Sequence, residues 1–200
     1  MELLNVGAML SVHARLLPEK TGARDLERTM TFKQWNARSC RLANALVGLG
    51  LQKGDRVAVL AYNCLEWAEI YATTAKAGLV TVPVNFRLTA NEANFIIANA
   101  EASAIIVQDE LAGVIEDIGA GLAIDRHRII HFGANCPAGW HSYEGLIAAA
   151  RDSEPLQKHS LSDPWTLMYT SGTTGSPKGA IRSHRGAANM ALITEIELGI

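Results

Sequence analysis

Residues 31–61 read TFKQWNARSCRLANALVGLGLQKGDRVAVLA, and the change of period inside this stretch sets the fold class. Thr31 and Gln34 stand at capping-box spacing, where a hydroxyl and an amide three residues apart satisfy the first free amides of a helix. Behind them Trp35, Leu42, Ala45, Leu46 and Leu49 recur near the helical period, and Gly48 and Gly50 end the series. The pattern then becomes GDRVAVLA, residues 54–61, a β-branched run that predicts a short strand.

The alternation repeats downstream. Asn63 with Glu66 three later predicts the start of a helix running through Lys76 and stopping at Gly78, and LVTVPVN is the next strand. Thr89 and Glu92 cap a helix to about Asn99, and SAIIVQD supplies a strand from residue 103. Residues 110–119 predict a weak helix, RIIHF at 128–132 a strand, and Ser142–Arg151 another helix. Parallel neighbours need a crossover and helices supply it, so the class is α/β with a mainly parallel sheet and flanking helices. Asp152–Asp163 is a polar surface connection, WTLMYT at 165–170 a strand, and Ser183 onward a helix to about Leu198. Between that strand and that helix lies a Gly-rich loop, with room for further strand before Ser183.

Composition narrows the function classes. With 48% hydrophobic residues the chain is rich enough in apolar side chains to build a core. Eighteen basic residues against twenty acidic ones give no excess that would mark nucleic acid as the partner. No apolar run approaches the roughly 18 residues of a membrane span, and the first ten residues lack the pattern of a signal peptide. The expectation is a cytoplasmic protein. Cys40, Cys64 and Cys136 are scattered, never at CxxC spacing, and read as buried small apolar residues rather than as disulfides or metal ligands.

The chemistry concentrates in residues 168–180, MYTSGTTGSPKGA. Gly172, Gly175 and Gly179 leave room for a ligand to approach backbone amides. Thr170, Ser171, Thr173, Thr174 and Ser176 add hydroxyl donors, and Lys178 adds one compact positive charge. Such a loop suits a polyphosphate, while a flexible surface linker is the plain alternative. A Walker A reading fails, since Pro177 stands where its second glycine belongs and Gly179 where its magnesium-binding hydroxyl belongs. GLGLQKG at 48–54 misses the dinucleotide pattern and follows a helix rather than a strand.

Other candidates are weaker. His127, His131, Cys136 and His141 lack the spacing of a metal site. Ser171 is not in the GxSxG elbow of a hydrolase and has no identifiable base. His184 has two readings, a contact to substrate or ATP and a residue beginning a helix beside Ser183. Asn85 and Arg87 stand past a predicted strand end, where open α/β sheets place ligand groups, and equally suit a turn and a solvated surface.

YTSGTTGSPKGA resembles the phosphate-loop signature of the adenylate-forming (AMP-binding) superfamily. The order upstream agrees: TFKQWNARSCRLANALVGLGLQKGDRVAVLAYNCLEW is similar to its first helix and strand, and AKAGLVTVPVNFRLTANEANFIIANAEASAIIVQD to the segment after them. The likeness covers roughly residues 6–200, which identifies 1–200 as the first part of the large N-terminal domain. VPVNFRLTANE and SHRGAANMA are most similar to acyl-CoA synthetases of the fatty-acid–CoA ligase type. The resemblance implies a ligase that joins ATP and a carboxylic acid into an acyl-adenylate and then transfers the acyl group to coenzyme A, with Mg2+ as cofactor and small molecules as partners. It places Thr170, Ser171, Gly172, Thr173, Thr174 and Lys178, with Gly175 between them, in the loop that holds the ATP phosphates. It assigns no catalytic residue to this chain, because the family's adenine-binding segment, magnesium ligand, ribose-binding aspartate and catalytic lysine are expected beyond position 200. The expectation is a chain inactive alone, the alternative being a non-catalytic remnant that at most binds nucleotide.

Overall fold

The computed structural model describes residues 5–157, 159–170 and 177–199. In chain order the elements are α1 (Val6–Leu16), β1 (Thr21–Arg24), β2 (Thr29–Thr31), α2 (Phe32–Gly48), β3 (Arg56–Leu60), α3 (Glu66–Ala77), β4 (Val80–Val84), α4 (Ala90–Asn99), β5 (Ala102–Gln108), α5 (Ala112–Ile118), β6 (Ile129–Phe132), β7 (His141–Ser142), α6 (Tyr143–Ala149), β8 (Pro164–Thr170), β9 (Lys178–Ser183) and α7 (His184–Leu198). Among the described residues seven strands form one sheet in the order β7-β6-β5-β3-β4-β8-β9, and β1 pairs with β2 in a small separate ribbon. All pairings in the large sheet are parallel except β8 with β9, which is antiparallel. The mainly parallel α/β reading therefore holds.

Local chemistry explains where the helices start. α2 and α4 carry complete capping boxes, with Thr31 and Gln34 bonded reciprocally at one and Thr89 and Glu92 at the other. α3 departs from expectation. It opens at Glu66 with Leu65 in the cap position and no side-chain cap. The expected start at Asn63 is corrected: the first turn is closed by backbone, the Trp67 amide donating to the Cys64 carbonyl at 3.3 Å and the Ala68 amide to the Leu65 carbonyl at 3.0 Å, while the Glu66 carboxylate accepts from the Arg28 guanidinium at 2.7 and 2.9 Å. Gly78 ends the helix at φ 70°, a left-handed conformation that glycine adopts at low steric cost.

Burial alternates along the sheet and divides the core. Val57 and Val59 face a cluster with Leu42, Ala43 and Leu46 of α2, Ile70 of α3, and Tyr143 and Ile147 of α6. Ala58 and Leu60 face the other cluster, with Ala93, Ile96 and Ile97 of α4 and Ile115 of α5. Both faces of β3 are covered, which is why its sequence is a continuous apolar run. From β3 the chain crosses through α3 on one face to β4, then through α4 on the opposite face to β5 on the far side of β3. Crossovers that leave in opposite directions open a crevice at the carboxyl ends of β3 and β4.

The connection at 152–163 has no regular element among its described residues but is pinned at several points. Lys76, buried in α3, binds Glu154 at 2.8 Å and Ser11 of α1 at 2.7 Å, and Asn44 holds the carbonyls of Arg151 and Ser153. Of the three cysteines only Cys40 is buried; Cys64 is half-buried, and Cys136 is exposed with its thiol turned toward the Pro137 and Trp140 carbonyls. The expectation of burial is corrected at Cys136, which lies in a loop after β6 that no helix covers.

Candidate functional site

The Gly-rich segment joins β8 to β9, so strand, loop and strand replace strand, loop and helix. The room left before Ser183 is filled by β9, which pairs with β8 from Thr170↔Lys178 to Thr166↔Arg182. Thr170 and Lys178 are direct cross-strand partners at the open end of this stem, and both are exposed. The structure brings these two together. Ser171, Gly172, Thr173, Thr174 and Gly175 lie outside the described residues. Lys178 pairs with no carboxylate among the described residues, which leaves its charge available to a ligand.

Strand alternation gives the stem two faces. Thr170, Met168, Lys178, Ala180 and Arg182 share one; Leu167, Tyr169, Gly179 and Ile181 share the other. Gly179 is closely approached from β8. A Cβ there would stand 2.8 Å from Leu167 Cδ1 and 3.3 Å from Tyr169 Cζ, so the Leu167 side chain would have to shift to admit one.

The stem borders the crevice at the carboxyl ends of β3 and β4, a cavity of about 460 Å³ lined by Asn63, Trp67, Asn85, Arg87, Met168 and Tyr169 among others. Asn85 accepts the Arg87 amide at 3.0 Å, the turn role foreseen for it, and the Arg87 guanidinium lies 5.4 Å from the Phe86 ring centroid. Both readings of this pair survive, since the turn that Asn85 makes is what places Arg87 at the crevice.

His184 lies at the other end of the stem, about 20 Å from Lys178 at strand rise. It opens α7 behind Ser183, whose hydroxyl caps the Gly186 amide at 3.2 Å. The ring is fully buried, stacked on Trp165 at 6.1 Å between centroids and beside His159 at 6.4 Å, and neither nitrogen has a hydrogen-bond partner. The helix-start reading holds, and the ligand contact is not supported by this position.

Burial pushes the His184 imidazole down to about 4, and burial likewise lowers His159, whose Nε2–H donates to the Lys76 carbonyl at 2.7 Å. Lys53, Lys76 and Asp163 are the charged groups that face the pair. Because the folded values lie below the unfolded one, stability is full above about pH 6.5 and falls as pH drops toward 4. Between about pH 7.5 and pH 5 we expect a loss of about 1–2 kcal/mol after allowance for solvent screening. Urea unfolding at the two pH values checks this, and His184→Phe should remove most of the difference; a variant as acid-sensitive as the unaltered chain would refute the assignment.

His131 Nε2–H donates to Asp109 Oδ1 at 2.9 Å, and His127 lies 2.8 Å from Asp125. No three His, Cys, Asp or Glu side chains among the described residues are placed to hold a metal ion. No helix among them is long and apolar enough to cross a membrane.

Residues 10–198 match the family described as AMP-binding enzyme. This chain belongs to that family. It is 36% identical over 189 residues to the long-chain-fatty-acid–CoA ligase FadD13 of Mycobacterium tuberculosis, covering 94% of this chain and 36% of that protein. It is 36% identical over 171 residues to a feruloyl-CoA synthase from an Amycolatopsis species, covering 86% of this chain and 32% of that one. Among solved structures, the anthranilate CoA ligase AuaEII in complex with anthranoyl-AMP superposes with a TM-score of 0.86 at 29% identity, over 91% of this chain and 35% of that chain. This AMP-binding chain therefore spans about a third of the length of the relatives it matches. The structural neighbours share the N-terminal domain architecture of adenylate-forming enzymes.

Proposed function

We propose that residues 1–200 are the ATP phosphate-binding part of an AMP-binding domain in a ligase that activates a carboxylic acid, a fatty acid by the weight of its resemblance, as acyl-adenylate and then acyl-CoA. The single observation that supports this most is the Thr170↔Lys178 pair at the open end of the β8–β9 stem, beside the crevice at the sheet's switch point. A hydroxyl and an ammonium that pairs with no carboxylate among the described residues stand there at the two ends of a segment of small and hydroxylated residues. Thr170, Ser171, Gly172, Thr173, Thr174, Gly175 and Lys178 form the proposed phosphate site. Charge-assisted bonds from such a site contribute on the order of 1.5–3 kcal/mol each, more than a neutral hydrogen bond does. Their role is positional and electrostatic: they hold the departing pyrophosphate while a carboxylate attacks the α-phosphate.

ATP, coenzyme A and the acid are the substrates of this reading, Mg2+ is the implied cofactor, and the proposed location is the cytoplasm. The named relatives act on long aliphatic and on aromatic acids, so the test covers both. The 200-residue chain is titrated with inorganic pyrophosphate and separately assayed for pyrophosphate release with ATP, CoA and a panel of fatty and aromatic acids. Binding without turnover is the expected result. No pyrophosphate binding would overturn the phosphate site, and robust turnover would overturn the expectation that this chain is inactive alone.

A further inference from the structure

We propose that Tyr169 and Asn99 are positioning residues for the loop: they tie the open end of the β8–β9 stem to the end of α4 and so hold Thr170 and Lys178 in a fixed relation to a bound phosphate. This rests on the phosphate-site reading above.

The need for a tie follows from the sheet. β4 and β8 are paired at Thr81↔Thr166, and β8 continues alongside β4 toward the loop. β9 is the edge strand of the described sheet and has β8 as its one strand neighbour there. An edge strand is held from one side alone, which makes the β9 end that carries Lys178 the less restrained arm of the stem.

Tyr169 answers this in two ways. Its ring lies across the stem against Gly179, its direct cross-strand partner, where a glycine leaves a gap that an aromatic neighbour fills. Its hydroxyl donates to Asn99 Oδ1 at 2.6 Å. Asn99 is the last residue of α4, a helix fixed at its start by the Thr89–Glu92 box and along its length by buried Ala93, Ile96 and Ile97. The other arm faces the same helix across a small cavity of about 300 Å³, lined by Pro177 with Leu88, Asn91, Phe95 and Ile96. Both arms thus lie beside α4, and the Tyr169–Asn99 bond is a polar link across seventy residues of sequence.

The test is calorimetric titration of the chain with inorganic pyrophosphate, at a temperature where circular dichroism shows every variant folded. Tyr169→Phe keeps the ring and removes the hydroxyl; Asn99→Leu removes the acceptor. Each should weaken binding by about threefold to tenfold, the worth of one hydrogen bond, and the double variant should bind no more weakly than the weaker single one. Arg38→Ala, in helices on the opposite face from α4, is the control for a merely structural effect and should lower the melting temperature without changing affinity. Variants at 169 and 99 that bind as tightly as the unaltered chain, while Lys178→Ala does not, overturn the positioning role and leave the phosphate site intact. An unaltered chain that fails to bind, or binding that survives Lys178→Ala, overturns the phosphate site and this inference with it.

Discussion

Replacing Glu69 by alanine is expected to cost about 3–5 kcal/mol of unfolding free energy, the range for breaking a buried charge network by removing one partner. Glu69 is 3% exposed in α3 and holds two other helices: its carboxylate accepts from the Arg38 guanidinium of α2 and, at 2.7 Å, from the Tyr143 hydroxyl of α6. Tyr143 is fully buried, and burial together with the Glu69 charge drives its phenol well above the ordinary range, so the hydroxyl stays protonated and donates. Without Glu69 that donor loses its acceptor. Arg38 retains Glu144, which keeps the loss toward the lower end of the range. Glu69→Gln preserves an acceptor for Tyr143 and should cost about half as much, whereas Tyr143→Phe should cost about 1–3 kcal/mol by removing one of the two hydrogen bonds that Glu69 Oε2 accepts, the other coming from Arg38. Denaturant unfolding measures all three, and a Glu69→Ala chain within about 1 kcal/mol of the unaltered one would mean that the three helices are held by apolar packing alone.

These elements show which parts of the fold a sequence exposes. α2 and α4 are legible because a capping box is local, two side chains three residues apart, and both boxes form as their spacing predicts. β3 and β5 are legible because helices on both faces demand continuous apolar runs. α1 is harder to see: of its residues only Gly7 and Leu10 are buried, and it is held by packing on α2 and α3 and by Ser11 bonding to Lys76, sixty-five residues away. β9 carries a glycine and little apolar pattern, and it is a strand because β8 offers it a ladder. The α3 start shows the reverse case, a local signal at Asn63 that the structure does not use, since the first turn closes on the Cys64 and Leu65 carbonyls.

The site divides in the same way. Residue types in the loop indicated an anion, since small residues, hydroxyls and a lysine have a shared chemical use. What those types do not encode is how the loop is held, because the ring over Gly179 and the bond to Asn99 depend on strand register and on a helix seventy residues earlier. His131 illustrates the converse hazard. Grouped on paper with Cys136 and His141, it instead sits buried and bonded to Asp109, and Cys136 faces backbone carbonyls.

Lys178→Ala should lower pyrophosphate affinity by about tenfold to hundredfold and change unfolding free energy by no more than about 0.5 kcal/mol. The contrast follows from exposure. Lys178 lies at the stem mouth with no carboxylate paired to it among the described residues, so folding gains little from its charge. A phosphate, by contrast, would receive a charge-assisted bond from it and from its cross-strand partner Thr170. The same exposure makes the interaction sensitive to ionic strength: the screening length is about 8–10 Å in physiological salt, and affinity should fall as salt rises. Lys178→Arg keeps the charge but replaces a compact ammonium with a planar fork, and should recover only part of the affinity. In a ligase built on this chain the alanine variant should depress pyrophosphate-forming turnover far more than it depresses the melting temperature. A variant whose melting temperature collapsed while binding per folded molecule held would place Lys178 in the structure of the stem and take the phosphate from it.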